Sequence, residues 1–176
     1  MSALVRTECP KSQEYALEQL AMAHARKMHP TIPYLASRKY RDDSANGLTR
    51  CIIDFLRLTG HQAERINCTG RYIDGTKVVR DTIGRTYKIG SIKRLFTSGQ
   101  KGTSDISAIV KTTNGSVIPW KVEVKTGRDS QSEAQRIYQK QVESAGGIYS
   151  IVRSFDDFIK HYNCLCNDST VINNHL

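Results

Sequence analysis

Apolar positions along the chain follow two rhythms. Residues 12 to 28 place Leu17, Leu20, Ala21, Ala25 and Met28 at three- and four-residue steps, which predicts an amphipathic helix ending before Pro30. His24 falls on or beside that face with no second ligand at metal spacing, and it reads as a packed or rim histidine. Between Pro30 and Asp43 there is no period, only Pro33, two tyrosines and alternating charge, and a linker packed on the surface is expected. A second helix is predicted over about 46 to 59, capped by Ser44 or Asn46 and stopped at Gly60. Its Leu48, Ile52, Phe55, Leu56 and Leu58 require a sheet to pack on.

Beyond Gly60 the period shortens to two. A strand near 62 to 67 leads into a stretch with turn signals at Asp74-Gly75, Gly84 and Gly90, which predicts one or two extended hairpins. Residues 103 to 125 hold two β-rich runs around Asn114-Gly115. A two-residue loop there would pair positions summing to 229 and set Asp105 opposite Val124, scrambling polar against apolar. A three-residue loop, Thr113 to Gly115 with Gly115 in the left-handed bulge position, pairs positions summing to 228. Ile106 then faces Val122, Ala108 faces Trp120 and Val110 faces Ile118, while the other side shows Asp105 opposite Glu123 with Lys125 two residues on. Pro119 needs a place where its missing N–H points away from the partner strand.

A helix is predicted from Ser132 to about Ala145 with Ala134, Tyr138, Val142 and Ala145 on one face, closed by Gly146-Gly147. An apolar strand at Ile148 to Val152 and a last helix capped by Ser154, with Asp157 near the capping-box position, complete the chain. This order predicts an α/β sandwich around a central mixed sheet.

Composition narrows the class. The 176 residues are 39% hydrophobic and 24% charged, enough for one ordinary domain with a core that needs neither metal nor disulfides, and collagen-like, mucin-like or wholly disordered chains are excluded. No run approaches the ~18 to 20 apolar residues of a spanning helix, so no membrane partner is expected. The opening stretch, with Arg6, Glu8, Pro10 and Lys11, lacks a secretory layout, and a cytoplasmic location is expected by default. Five scattered cysteines (Cys9, Cys51, Cys68, Cys164, Cys166) argue for reduced thiols. His161, Cys164, Cys166 and His175 could be drawn as a zinc site, but their spacing matches no common pattern and the segment reads as a fraying tail.

The formal charge of +9 points to a polyanionic partner, because each phosphate neutralised releases counterions. Residues 71 to 101 concentrate it: Arg71, Lys77, Arg80, Arg85, Lys88, Lys93, Arg94 and Lys101 against Asp74 and Asp81, a local +6. A solvated basic loop explains any one of these residues better than it explains the cluster.

Two carboxylates facing each other across a hairpin repel unless a cation or shared proton compensates. Oxygen ligands from Asp105 and Glu123, with waters and a substrate phosphate, suit Mg2+ or Mn2+. Such an ion polarises a phosphodiester and lowers the pKa of a bound water, while Lys125 on the same face can orient the water and stabilise developing charge. Glu-x-Lys on a strand is also a common exposed ion pair, and alone it is weak evidence; the register with Asp105 and the flanking valines strengthen it.

The run Gly102-Thr103-Ser104-Asp105-Ile106, then Val122-Glu123-Val124-Lys125-Thr126-Gly127, then Ser132, Gln135 and Tyr138 before Ala145-Gly146-Gly147, resembles the PD-(D/E)xK nuclease superfamily, and within it most resembles the VRR-NUC (virus-type replication-repair nuclease) family, over roughly residues 46 to 160. The resemblance implies a restriction-endonuclease-like core over 44–163, an extra N-terminal helix and linker over 1–43, a basic β-hairpin insert at 71–101 and a tail at 164–176. It implies that Asp105 and Glu123 bind Mg2+ or Mn2+ together with the Val124 carbonyl, that Lys125 is the catalytic lysine, and that Gln135 supports the site with Tyr138 one turn on. The basic insert and Arg128 would grip DNA. One departure stands out: the family's glutamate at the start of the helix before the first strand falls here at about Ala45 or Asn46, so that Asn46, or Asp42 or Asp43 swinging in, would have to substitute.

The implied function is a metal-dependent DNA endonuclease acting on branched structures such as Holliday junctions, as a homodimer if cleavage is symmetric. A phage origin, and with it a host-cell cytoplasm, is suggested by the family. The rivals are a catalytically weakened DNA-binding protein and a sequence-specific nuclease of restriction or homing type that reads bases in the major groove.

Overall fold

The computed structural model describes residues 12–66, 71–95 and 99–167, the side chains of Arg71 and Asn167 excepted. It is an α/β fold: α1 Gln13–Met28, α2 Ala45–Leu58, β1 Gln62–Arg65, β2 Arg71–Asp74, β3 Lys77–Arg80, β4 Thr86–Ile89, β5 Ile92–Leu95, β6 Ile106–Lys111, β7 Val117–Val124, α3 Glu133–Ser144, β8 Ile148–Val152 and α4 Phe155–Asn167.

Four strands form a mixed sheet in the order β1-β6-β7-β8, antiparallel except where β8 runs parallel to β7. The β6–β7 pairs sum to 228, Ile106 with Val122 through Lys111 with Val117, as the three-residue loop requires. Gly115 has φ +86, and Thr112 N–H donates to Ser116 O. Stepping by two from that bonded pair leaves Ile109–Pro119 as a non-hydrogen-bonded pair, so proline's missing donor points away from β6.

Even-numbered residues of β6, β7 and β8 face α2 and α4. Ile106, Val110, Trp120, Val122 and Val152 are fully buried there with Leu48, Ile52 and Leu56 of α2. Trp120 stacks on Phe158 at 5.2 Å, and its indole N–H donates to Ser150 Oγ at 3.0 Å, so the largest core side chain leaves no polar atom unpaired. α3 covers the other face and buries none of its residues fully.

Helix ends follow local chemistry. Ser44, rather than Asn46, caps α2 by accepting from Gly47 N–H. The helix closes with paired bonds from Gly60 N–H to Arg57 O and from His61 N–H to Leu56 O, around Gly60 at φ +87. Ser154 accepts from Asp157 N–H at 3.1 Å to cap α4, and Asp157 accepts from Arg153 N–H rather than from the cap itself.

Several expectations are corrected. Only Leu17 of α1 is fully buried and Met28 is exposed, because the helix rests on α2 and α4 at the edge of the core. The linker does more than pack: Tyr40 is buried with its hydroxyl donating to Asp54 Oδ2 at 3.0 Å, and Asp42 Oδ2 accepts from Phe155 N–H at the start of α4. Asp42 is therefore committed to α4, and Asp43 pairs with Arg41. The first sheet strand stops at Arg65 rather than 67, and α4 continues past 163 to Asn167. His161 lies 3.9 Å from Asp157, His175 lies outside the described residues, and among the described residues no three His, Cys, Asp or Glu side chains converge as a metal site. Cys51, Cys164 and Cys166 are free thiols, whereas Cys9 and Cys68 lie outside the described residues. No helix of the described residues is long and apolar enough to cross a membrane.

Candidate active site at the hairpin and the first turn of α3

Odd-numbered residues at the C-terminal end of β7 turn toward α3, and there the sheet carries charge instead of apolar side chains. Glu123 is 2% exposed and Lys125 is 5% exposed. The Lys125 ammonium lies 3.1 Å from Glu123 Oε1 and 3.2 Å from Asp129 Oδ2. Gln135, at the third position of α3, donates its amide to Glu123 Oε1, accepts from Lys125 Nζ at 3.1 Å, and accepts from Ser132 N–H at 2.8 Å to close a capping box. Tyr149 of β8 donates its hydroxyl to Glu123 Oε2 at 3.3 Å. Tyr138 sits edge-on to the Tyr149 ring at 6.3 Å, one step behind that contact.

Asp105 ends the loop before β6. Its Oδ2 accepts from Val124 N–H at 2.9 Å, its carbonyl accepts from Ile66 N–H, and among the described residues nothing donates to Oδ1. A strand residue directs its N–H and C=O to the same side, so the Val124 carbonyl also faces the Asp105 strand. The preceding loop is pressed onto α3: a Cβ at Gly102, φ +81, would overlap the Ala134 carbonyl and approach Gln135 N within 2.7 Å.

Electrostatics agree with this crowding. Burial raises the Glu123 pKa, the Asp105 charge raises it further, and the Lys125 hydrogen bond opposes both. Burial pulls the Lys125 pKa down, but its bonds to Glu123 and Asp129 and their charges outweigh burial, and the ammonium is held above its ordinary value.

Asp105, Glu123, Lys125 and Gln135 are thus brought together. Asn46 is exposed, and its Oδ1 accepts from Arg65 Nη2 at 2.8 Å, at the residue paired with Ile106. Among the predicted DNA contacts, Lys101 and Arg128 are exposed in the loops flanking the site, and the others lie on strands β2 to β5 or at the tip between them. Three contributors escape the sequence. Tyr149 follows from its pairing with Lys121 across the parallel crossover. Asp129 is four residues past Lys125 but in a turn rather than a helix, and Arg153 fixes that turn by donating to Gly127 O and Asp129 O. Alternation within β8 is the one local signal, since it sets Tyr149 on the face opposite Ser150.

Two carboxylates, the charge of Asp105 raising the proton affinity of Glu123, plus a backbone carbonyl, form an oxygen donor set suited to a hard divalent cation that keeps several waters. No protein-family profile, curated protein or solved structure matches the chain.

Proposed function

We propose that the chain is a metal-dependent DNA endonuclease with a restriction-endonuclease-like core, related to the PD-(D/E)xK and VRR-NUC nucleases it resembles. The observation that carries this reading is the buried Glu123–Lys125–Gln135 cluster beside Asp105, because burying two charges costs more than a structural role returns. Asp105, Glu123 and the Val124 carbonyl would hold Mg2+ or Mn2+. The ion supplies Lewis acidity toward a phosphodiester oxygen and an activated water.

The chain's own groups do the rest. Lys125, kept protonated by Glu123 and Asp129, acts as a fixed cation rather than a base and stabilises negative charge on the scissile phosphate. Gln135 holds the lysine and the glutamate in one orientation, and Tyr149 restrains the far oxygen of Glu123. Branched DNA, Holliday junctions included, is the proposed substrate, with a homodimer where cuts are symmetric.

One observation favours a second reading, a DNA-binding protein without catalysis. The acid of the family the chain resembles falls here at about Ala45 or Asn46, neither of them acidic, and the Asn46 oxygen is occupied by Arg65.

The experiment incubates the protein and Lys125→Ala with labelled four-way junction, flap and linear duplex in Mg2+, Mn2+ or chelator. Cleavage that needs both the metal and Lys125 supports the nuclease. Equal binding with no cleavage by either protein favours the binding protein.

A further inference from the structure

Strands β2 to β5 form two short two-stranded sheets, β2–β5 and β3–β4. Every pair in both sums to 166, from Arg71–Leu95 to Arg80–Thr86, and the same sum holds at Gly75 N–H to Ser91 O between them and at Asp81 N–H to Arg85 O beyond them. They are one continuous ribbon, interrupted at a glycine waist where a Cβ on Gly90 would overlap the Gly75 carbonyl. Ten residue steps give it a reach of about 33 Å, close to one turn of duplex DNA.

Among the described residues, the core leaves it uncovered. Between Tyr72 and Leu95 only Val79 and Asp81 are even partly buried, while Tyr72, Val78 and Ile92 are 68, 67 and 62% exposed. A lone two-stranded ribbon is marginal in water, so a surface this apolar implies a partner. Charge identifies its class. Residues 71 to 95 hold seven Lys and Arg against Asp74 and Asp81, and +5 on each copy opposes self-association. The basic groups also divide between the two faces by alternation, Lys77, Arg85 and Lys93 on one, Arg80, Lys88 and Arg94 on the other. A ribbon laid flat on a duplex would load one face; phosphates on both sides are what a ribbon inside a groove meets.

The tip is built rather than loose. Asp81 Oδ1 accepts from Ile83 N–H at 3.0 Å and Arg85 N–H at 2.8 Å, Gly84 takes φ +86, and Arg80 Nε donates to Gly84 O. This turn presents Ile83 at 79% exposure, with arginines at 80 and 85 on either side. We infer that the ribbon lies in the minor groove of duplex DNA and that Ile83 inserts between base steps as a wedge, kinking the duplex by on the order of 20 to 90°. The inference rests on the DNA-binding part of the proposed function and not on cleavage.

Full-length protein is titrated into a duplex of about 30 base pairs labelled at both ends, with anisotropy reporting binding and energy transfer reporting bending. The titration is made in chelator and, on the Lys125→Ala background, in Mg2+. Wild type is expected to raise energy transfer. Ile83→Ala, which alters only an exposed tip, is expected to abolish the rise while losing less than about tenfold in affinity, its phosphate contacts being intact. Ile83→Leu restores bending, and Arg80→Gln with Arg85→Gln lowers the salt slope of binding by about two. Bending that survives Ile83→Ala, or wild-type binding without a change in energy transfer, overturns the wedge. Arm-dependent self-association in sedimentation, without DNA binding, overturns it in favour of a second copy. Bending by wild type that cuts none of the junction, flap and duplex substrates in Mg2+ or Mn2+ sinks the nuclease reading and leaves the wedge standing; cleavage of any of them without bending does the reverse.

Discussion

Gln135 Oε1 accepts from Lys125 Nζ at 3.1 Å and, at the same time, from Ser132 N–H at 2.8 Å. One oxygen thus starts α3 and positions the lysine of the candidate site, so the helix cap and the chemistry share an atom. The two roles are separable. Ser132→Ala removes only the cap, costing about 1 kcal/mol with cleavage near wild type. Gln135→Ala removes the cap bond and both site contacts and is expected to cost about 2 kcal/mol and to slow cleavage by on the order of a hundredfold. Urea unfolding beside single-turnover cleavage checks both; equal losses of activity in the two variants would mean that Gln135 acts only through the helix.

Lys125→Met leaves Glu123 buried without its main counter-charge, a loss on the order of 3 kcal/mol near neutrality. The Glu123 pKa is already above 4.5, and removing the cation raises it further. A carboxyl raised in the folded state contributes stability that is present below 4.5 and lost as pH rises through its folded value. The destabilisation by Lys125→Met should therefore be smallest below pH 4.5 and grow toward neutrality, as urea midpoints at several pH values would reveal.

Gly102→Ala tests how closely the loop before β6 must approach α3. With φ +81 and the Ala134 carbonyl in the way, the substitution should cost more than about 2 kcal/mol and displace Gln135 from Glu123. Gly60→Ala, at φ +87 but with open space around it, should cost only about 1 kcal/mol and leave cleavage intact.

His61 links the start of β1 to α4. Lys111 N–H donates to its Nδ1 at 3.3 Å, so the ring proton sits on Nε2 and points to Tyr162 Oη at 2.9 Å. Burial lowers its pKa below 6.5. A depressed folded pKa means stability present above 6.5 and lost as pH falls through the folded value. Denaturation midpoints should fall with pH in that window for wild type and stay flatter for His61→Asn, which keeps an acceptor for Lys111 N–H.

What the sequence determined by itself is what neighbouring residues decide. Ser44, Ser132 and Ser154 cap helices through bonds spanning three residues. The loop ending at Gly115 sets the β6–β7 register, and that register alone brings Asp105 and Glu123 to one site. Alternation did the rest, since a slip of one residue would have put Trp120 in solvent.

Tertiary structure decided where partners are far apart in the chain. Asp42 caps α4 across 113 residues, Tyr149 reaches Glu123 across a helix crossover, and Arg65 claims the Asn46 oxygen. The union of β2–β5 and β3–β4 into one ribbon belongs to the same class, because turn signals at three glycines fit one hairpin or two. A polar side chain with several acceptors within reach has no local preference among them; the packed sheet selects one by fixing distance and excluding water.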